Sequence, residues 1–269
     1  MGATWYNNYK AMQFAKGVTS GVTSPQDAAS NAAKLKSARE YNARLLDNPI
    51  NDPWDGRDPV ASAQWSAYAK QLTGSSAMAR IRIPSIRAEL AIEHGTSDEV
   101  LARSAGHMFG TSLPVGGPST HAGIAAHRAL PNFTAFDSLP EMKIGDEFFI
   151  DVFGETLAYR VTSIKTVLPE AKNMLPRTEG VDQVTLVTCT PYAVNSHRLL
   201  VTGERIPLAK ADAGAAQWQP KPWQLEIQPW MITRLVLSAI VLLLIVGSLV
   251  RWWVVDRRAK GRRRSSPRG

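Results

Sequence analysis

The chain has 269 residues, 44% of them hydrophobic, so it can bury one large core or two small ones, and disorder throughout is excluded. Of the formal charge of +8, about +7 lies from Arg251 onward, where eight basic residues face one acidic residue, and the nearly neutral remainder argues against a nucleic-acid partner. The single cysteine, Cys189, excludes an internal disulfide.

The N-terminal part predicts helices around a loop. Residues 1–23 contain no apolar stretch of signal-peptide length, and we expect a juxtamembrane segment there. In residues 24–75, Ser24 and Pro25 open an alanine- and lysine-rich run that predicts a helix to Leu46. The next stretch, NPINDPWDGRDPV at 48–60, has three prolines and a glycine and is expected to be a loop. A short second helix is predicted over Ala61–Gln71.

The segment 76–208 is predicted to be mainly β. Short apolar or alternating runs are separated by glycine and proline turns, which is typical of a β-barrel or sandwich. The predicted strands are ARIRIPSI, AELAIEHG, HAGIAAH, DEFFIDVF, ETLAYRVTSIKTV, VDQVTLVTC and HRLLVTGERI. A linker rich in alanine, glycine, glutamine and proline is expected at 209–229.

A membrane-spanning helix is predicted at 230–255. Residues 235–250 carry no charge, Trp230 precedes them, and Trp252 and Trp253 follow them, as suits the two membrane interfaces. The alternative, a buried core helix, seldom carries tryptophan and arginine at both ends.

The basic tail, residues 256–269, fixes the expected orientation. The positive-inside rule puts this tail in the cytoplasm and the preceding domain on the extracellular face of the plasma membrane. Because such a domain needs an export signal, we expect a signal or anchor helix upstream of Met1 in the natural protein.

Cys189 ends the β-branched run VTLVT and is followed by Thr190 and Pro191, so the predicted strand stops at the thiol. Strand ends are where reactive groups become exposed, and a neighbouring cation or base gives a thiol thiolate character. A lone cysteine in an apolar run is, by itself, more typical of core packing.

Two further side chains are candidates for the same site. His127 closes an apolar strand before the turn at Pro131, although His121, His94, His107 and His197 are alternatives. Arg198 begins the strand after Cys189 and would return antiparallel beside it. There it could stabilise a developing oxyanion, or it could form a surface salt bridge.

The blocks around these residues resemble the sortase family. TLVTC followed nine residues later by Arg198, with HR and LP at 127–131 upstream, is similar to the sortase signature. GTSLPVGGPSTHAGIAAHRALPN, GETLAY and TLVTCTPYAVNSHRLLVTGERI resemble class C, pilin-polymerising sortases, over about Ser24 to Pro207. Ala125, Ala126 and Ala129 stand where glycine or serine is frequent, and we expect activity to be retained.

The resemblance implies an eight-stranded closed β-barrel with the active site at its rim. Cys189 would attack the Thr-Gly bond of an LPxTG-type sorting signal and form a thioacyl intermediate. His127 would transfer protons, Arg198 would stabilise the oxyanion, and Thr188 would position substrate. The acyl group would then pass to a lysine amine of a pilin subunit.

The resemblance also implies an N-terminal lid. NDPW at 51–54 fits the Asp-Pro-aromatic lid motif of class C sortases, with Asp52, Pro53 and Trp54 as its residues. Asp52 is expected to pair with Arg198 while the Trp54 ring covers the Cys189 sulfur. The RDP at 57–59 is a competing candidate that lacks an aromatic residue.

Other functions stay open at this point. A housekeeping-type sortase would attach proteins to peptidoglycan precursor, and a membrane-tethered scaffold would bind pilins without chemistry. A papain-type protease would need cysteine before histidine and a helix under the thiol. We expect no metal or other cofactor, because the histidines lack close ligand spacing and no glycine-rich phosphate loop is present.

Overall fold

The computed structural model describes residues 2–19, 25–45, 52–54, 62–75, 77–171, 173–219 and 229–264. It divides into two compact units, Met1–Leu225 and Glu226–Gly269. The helices are α1 Gly2–Thr19, α2 Pro25–Arg44, α3 Ala63–Ala69, α4 Asp98–Leu101, α5 Ala213–Gln217 and α6 Pro229–Arg264. The strands are β1 Ala79–Ile83, β2 Ala88–His94, β3 Ala105–His107, β4 Thr120–Ala125, β5 Glu147–Val152, β6 Glu155–Val167, β7 Asp182–Thr190 and β8 His197–Ile206.

The eight strands form a closed barrel in the order β1-β2-β3-β4-β7-β8-β6-β5. The pairs β2–β3 and β4–β7 are parallel, and the other neighbours are antiparallel. The expected eight-stranded closed β-barrel with N-terminal helices is therefore confirmed. Seven strands match the predicted segments. The eighth, β3, has three residues and is too short to leave a periodic pattern.

Apolar side chains fill the barrel and make its strand ends rigid supports. Phe148 and Tyr159 stack in its interior with ring centroids 5.4 Å apart. Gly203 makes room for them, because a Cβ there would lie 2.5 Å from the Phe148 ring. Packing of this density fixes the positions of residues at the barrel rim.

The two predicted helices are present as α2 and α3, close to their expected bounds. Asn42 of α2 exchanges two hydrogen bonds with the backbone of Leu113, at 3.0 and 2.7 Å. Ser62 caps α3 by accepting a hydrogen bond from the Trp65 amide at 3.0 Å. The two hydrogen bonds of Asn42 thus attach α2 to the barrel.

The helix α1 is a finding that the sequence did not predict. It packs against β2, with Ala11, Met12 and Ala15 buried. Its buried face also includes the polar residues Thr4 and Asn8. A face made of alanines and small polar groups has little hydrophobic periodicity, which is why the pattern did not reveal it.

The C-terminal unit is dominated by α6, a single long apolar helix. Its segment Ile232–Trp253 spans 22 residues with a mean hydropathy of 2.4 and has no part buried within the protein. The length and composition suffice to cross a membrane. The expected apolar C-terminal helix is therefore confirmed.

Candidate active site

Strand register brings Cys189 and Arg198 together. Cys189 is the second-last residue of β7, and it pairs directly with Arg198, the second residue of β8. Both are buried, at 5% and 6% exposure. A hairpin connection of six residues therefore places a guanidinium beside the thiol, which the linear spacing alone only suggested.

The parallel pairing of β4 with β7 places His127 at the same edge. Ala125 pairs with Val187, so the same register carried two residues further sets His127 level with Cys189. The Ala126 amide donates to the Val187 carbonyl at 3.1 Å. The Thr188 hydroxyl donates to the Ala126 carbonyl at 2.8 Å. The chain entering His127 is thus bound to the chain entering Cys189.

The lid residue Asp52 binds Arg198 through both carboxylate oxygens. Nε of Arg198 donates to Oδ1 at 2.6 Å and Nη2 donates to Oδ2 at 2.8 Å. The two side chains are 9% and 8% exposed, so the fork is shielded from water. The expected contact between Asp52 and Arg198 is present, across 146 residues of sequence.

The lid residue Trp54 contacts both Arg198 and His127. Its ring centroid lies 4.9 Å from Cζ of Arg198, a cation–π contact. Its indole Nε1 donates to Nδ1 of His127 at 3.2 Å. That the ring also covers the Cys189 sulfur stays a prediction. Pro53 lies between the two lid residues, partly buried, and the competing RDP at 57–59 lies outside the described residues.

The hydrogen bond from Trp54 fixes the state of the imidazole. An indole N–H can only donate, so Nδ1 of His127 has to offer a lone pair. His127 is therefore neutral in this arrangement, with its proton on Nε2. An imidazolium would need to break the bond to Trp54.

Burial and charge favour the neutral thiol as well. Burial raises the pKa of Cys189, Arg198 lowers it, and Asp52 raises it again. Burial lowers the pKa of His127, which the carboxylate of Asp98 partly offsets. With the lid closed, both the sulfur and the imidazole are held uncharged.

An apolar patch receives the Trp54 ring. It is formed by Met108, Ala125, Met174, Leu175, Val187 and Leu200. Met174 and Leu175 belong to the connection between β6 and β7, and irregular connections carry no hydrophobic period, so these two residues could not be predicted. The closed lid covers this patch with the Trp54 ring.

The four other histidines make hydrogen bonds elsewhere in the barrel. Their ring nitrogens bond Gln71 O (His94), Tyr68 Oη and Ser112 O (His107), Pro176 O and Thr185 Oγ1 (His121), and Ser196 Oγ (His197). His127 is the histidine that contacts the lid. Within the described residues, no group of three or more histidine, cysteine or acidic side chains is arranged to hold a metal ion.

The chain is similar to known proteins in sequence and in fold. The Sortase domain family matches residues 81–206. Sortase C-1 from Actinomyces oris is 49% identical, with 66% of this chain and 99% of that one covered and a TM-score of 0.64. The chain belongs to the sortase family and is a cysteine transpeptidase.

The similar structures at 36–49% identity are mostly class C pilus sortases. Sortase A from Corynebacterium diphtheriae is also similar, at 40% identity, with 78% of this chain and 94% of that one covered and a TM-score of 0.66. The curated Sortase A of Bacillus anthracis is 27% identical over 152 residues, which are 56% of this chain and 68% of that protein.

Proposed function

We propose that this protein is a class C sortase that polymerises pilin subunits. The observation that carries the proposal is the double contact of the Asp-Pro-Trp segment, from Asp52 to Arg198 and from Trp54 to His127. A segment that precedes the barrel in sequence thus covers the catalytic rim. Similar structures include pilus-related sortases and a lid mutant of the C. diphtheriae enzyme.

In the first step, the Cys189 sulfur attacks the threonine carbonyl carbon of an LPxTG-type sorting signal. The thiol proton passes to His127, the carbon–nitrogen bond to glycine breaks, and His127 delivers that proton to the leaving amine. The products are a thioester at Cys189 and a peptide that begins with glycine.

In the second step, a lysine amine of another pilin attacks the thioester carbonyl. His127 accepts a proton from this amine, the carbon–sulfur bond breaks, and an amide bond joins the two subunits. The donors for the oxyanion in both steps come from Arg198. Thr188 acts beneath the site by holding the Ala126 carbonyl, which keeps the two strand ends in register.

The lid has to leave before either step. While Nε and Nη2 of Arg198 bind Asp52 and Nη1 binds the carbonyls of Asn195 and His197, the guanidinium is turned towards these acceptors and the carboxylate matches its charge. Lid opening would also free Nδ1 of His127 and remove the carboxylate that disfavours the thiolate. Opening therefore exposes the groove and restores the charges that the reaction needs.

The location follows from the C-terminal unit. The apolar helix is consistent with membrane anchoring, and we propose that it holds the barrel on the extracellular face with the basic tail in the cytoplasm. There the enzyme would meet pilin precursors that carry sorting signals.

The test is trapping of the acyl intermediate. The full-length protein is incubated with an LPxTG peptide, and the intact mass is measured for a thioester at Cys189. We expect the adduct in the parent protein, more of it in Asp52→Ala, and none in Cys189→Ala. Absence of the adduct in the first two proteins would contradict the transpeptidase mechanism.

The acceptor separates two sortase functions. The similarity to proteins called Sortase A favours a second candidate, transfer to peptidoglycan precursor. Equal amounts of purified pilin and a cell-wall stem peptide are offered to the acyl-enzyme. A pilin ladder that needs Cys189 supports class C, and a predominant stem-peptide adduct supports the alternative. A pilin-binding scaffold would retain pilin binding without any covalent product.

A further inference from the structure

The residue after His127 makes a bridge to the residue after Cys189. The Arg128 guanidinium donates from Nη1 to Oγ1 of Thr190 at 3.3 Å and from Nε to the carbonyl oxygen of Asp137 at 3.2 Å. Its Cζ also lies 5.4 Å from the centroid of the Tyr192 ring. One side chain thus joins three segments at the catalytic rim.

The turn that carries His127 is fixed at its base. The Phe136 amide donates to the His127 carbonyl at 3.1 Å, and the Ala129 amide donates to Oδ1 of Asp137 at 2.7 Å. Ala129 has a φ of +71°, so the chain turns sharply directly after Arg128. These bonds hold the turn to itself, and Arg128 holds it to the strand end of Cys189.

The position of this bridge matters because regular strand pairing stops just before it. The bond between the Ala126 amide and Val187 is the last backbone bond described along the β4–β7 edge, and His127 lies beyond it. A proton-transferring imidazole tolerates little displacement, since an error of about 1 Å can cost about a hundredfold in rate. Beyond the bond from the Thr188 hydroxyl to the Ala126 carbonyl, the next hydrogen bond between the two chain ends is the one from Arg128 to Thr190.

We propose that Arg128 is a positioning residue for His127. Its bridge to Thr190, supported by the Tyr192 ring, sets the distance between the imidazole and the Cys189 thiol. The predicted effect on kcat rests on the proposed transpeptidase function. The predicted effect on the reactivity of the Cys189 thiol does not.

The first measurement is the pH dependence of Cys189 alkylation by iodoacetamide, in the Asp52→Ala background, where Arg198 and the lid are uncoupled. The single cysteine makes the signal unambiguous. We expect Arg128→Ala to move the alkylation midpoint to higher pH, because a displaced imidazole donates less well from Nε2 to the thiolate. The matched control is Arg160→Ala, an exposed arginine that pairs with Glu147 on the barrel wall and should leave the midpoint unchanged.

The second measurement is cleavage of an LPxTG peptide. We expect Arg128→Ala to lower kcat about tenfold with KM within about twofold, as for a group that acts on geometry and not on binding. Thr190→Val should lower kcat by a smaller factor. The double variant should have the same kcat as Arg128→Ala alone, because both substitutions remove the same hydrogen bond. Arg128→Lys should fall between the parent and the alanine variant.

An unchanged midpoint together with an unchanged kcat in Arg128→Ala would overturn the positioning role. A shifted midpoint in a protein that cleaves no sorting signal would leave that role in place and refute the proposed function. If Arg128→Ala fails to fold, the same comparisons are made with Thr190→Val and Arg128→Lys, where additive effects in the double variant would overturn the proposal.

Discussion

Among the described residues, two buried arginine–aspartate pairs with forked hydrogen bonds have similar geometry but different roles, one in the barrel and one in the lid. Arg82 binds Asp151 at 2.7 and 3.1 Å, and Arg198 binds Asp52 at 2.6 and 2.8 Å. All four side chains are below one-tenth exposed. Distance and burial therefore do not separate them.

The two pairs differ in the further contacts that hold each aspartate. Asp151 also accepts from Arg80 at 2.8 Å and from the Thr156 hydroxyl at 2.7 Å, so its fork ties the adjacent strands β1, β5 and β6. Burial alone would raise the pKa of Asp151, but the hydrogen bonds and charge of Arg82 hold it below its usual value. Asp52 instead joins a loop to a strand end. The first fork is part of the barrel, whereas the second can open without it.

The largest effect is expected from breaking the barrel fork. Asp151→Asn leaves the buried Arg82 guanidinium without the carboxylate that it binds, and loss of one partner from a buried pair costs about 3–5 kcal/mol. Urea unfolding of the detergent-solubilised protein, followed by tryptophan fluorescence, measures the free energy of unfolding. Arg39→Ala, which breaks an exposed pair with Glu155, should change it by less than about 1 kcal/mol. Equal losses in both variants would contradict the structural role of the barrel fork.

Acid should weaken the barrel before it discharges that fork. Burial lowers the pKa of His107 from 6.5 to about 4, so the folded state favours its neutral form. The stability this gives is complete above about 6.5 and is lost as the pH falls towards about 4, by at most about 3 kcal/mol. The free energy of unfolding is measured between these values, and His107→Gln should flatten its slope. A slope unchanged by this substitution would rule out His107 as the source.

Breaking the lid fork should mainly change reactivity. Asp52→Ala removes a carboxylate that raises the pKa of Cys189 and leaves Arg198 to lower it. We expect alkylation of Cys189 at pH 7 to become faster, with its midpoint at lower pH, because more of the thiol is ionised. The free energy of unfolding should fall less than in Asp151→Asn, because an open lid lets water reach Arg198. A slower reaction would show that the lid does not protect the thiol.

The smallest effect separates the two contacts of Trp54. Trp54→Phe keeps an aromatic ring near Arg198 but removes the N–H that binds His127. A lost hydrogen bond of about 1 kcal/mol corresponds to roughly fivefold faster alkylation. Trp54→Ala, which removes ring and N–H together, is the control and should react faster still. Identical alkylation rates for the phenylalanine variant and the parent would mean that the hydrogen bond to His127 does not stabilise the closed lid.

The local pattern was enough for much of the fold. Seven strands, two N-terminal helices and the apolar C-terminal helix were visible because each repeats its apolar residues, opens with a cap or forms a long uncharged run. The strand β3 and the helix α1 were not visible, since one has three residues and the other buries alanines and small polar groups. Both are stabilised by contacts made with distant parts of the chain, which a local window does not contain.

The site divides in the same way. The amino-acid sequence was enough to single out Cys189 and Arg198. It also indicated the Asp-Pro-Trp motif, through the resemblance to a family. The choice of His127 among five histidines rested on that resemblance too, because all five are chemically equal in a sequence. The parallel register of β4 and β7 gives a physical reason for the choice.

By itself, the sequence determined a β-rich domain, an apolar helix with a basic tail, and a thiol at the end of a strand, since each depends on residues near one another in the chain. Only the tertiary structure decided that Trp54 donates to His127 and that Arg128 bridges to Thr190. Those contacts join residues more than sixty positions apart: the pairing of β4 with β7 brings Arg128 to Thr190, and the lid brings Trp54 to His127.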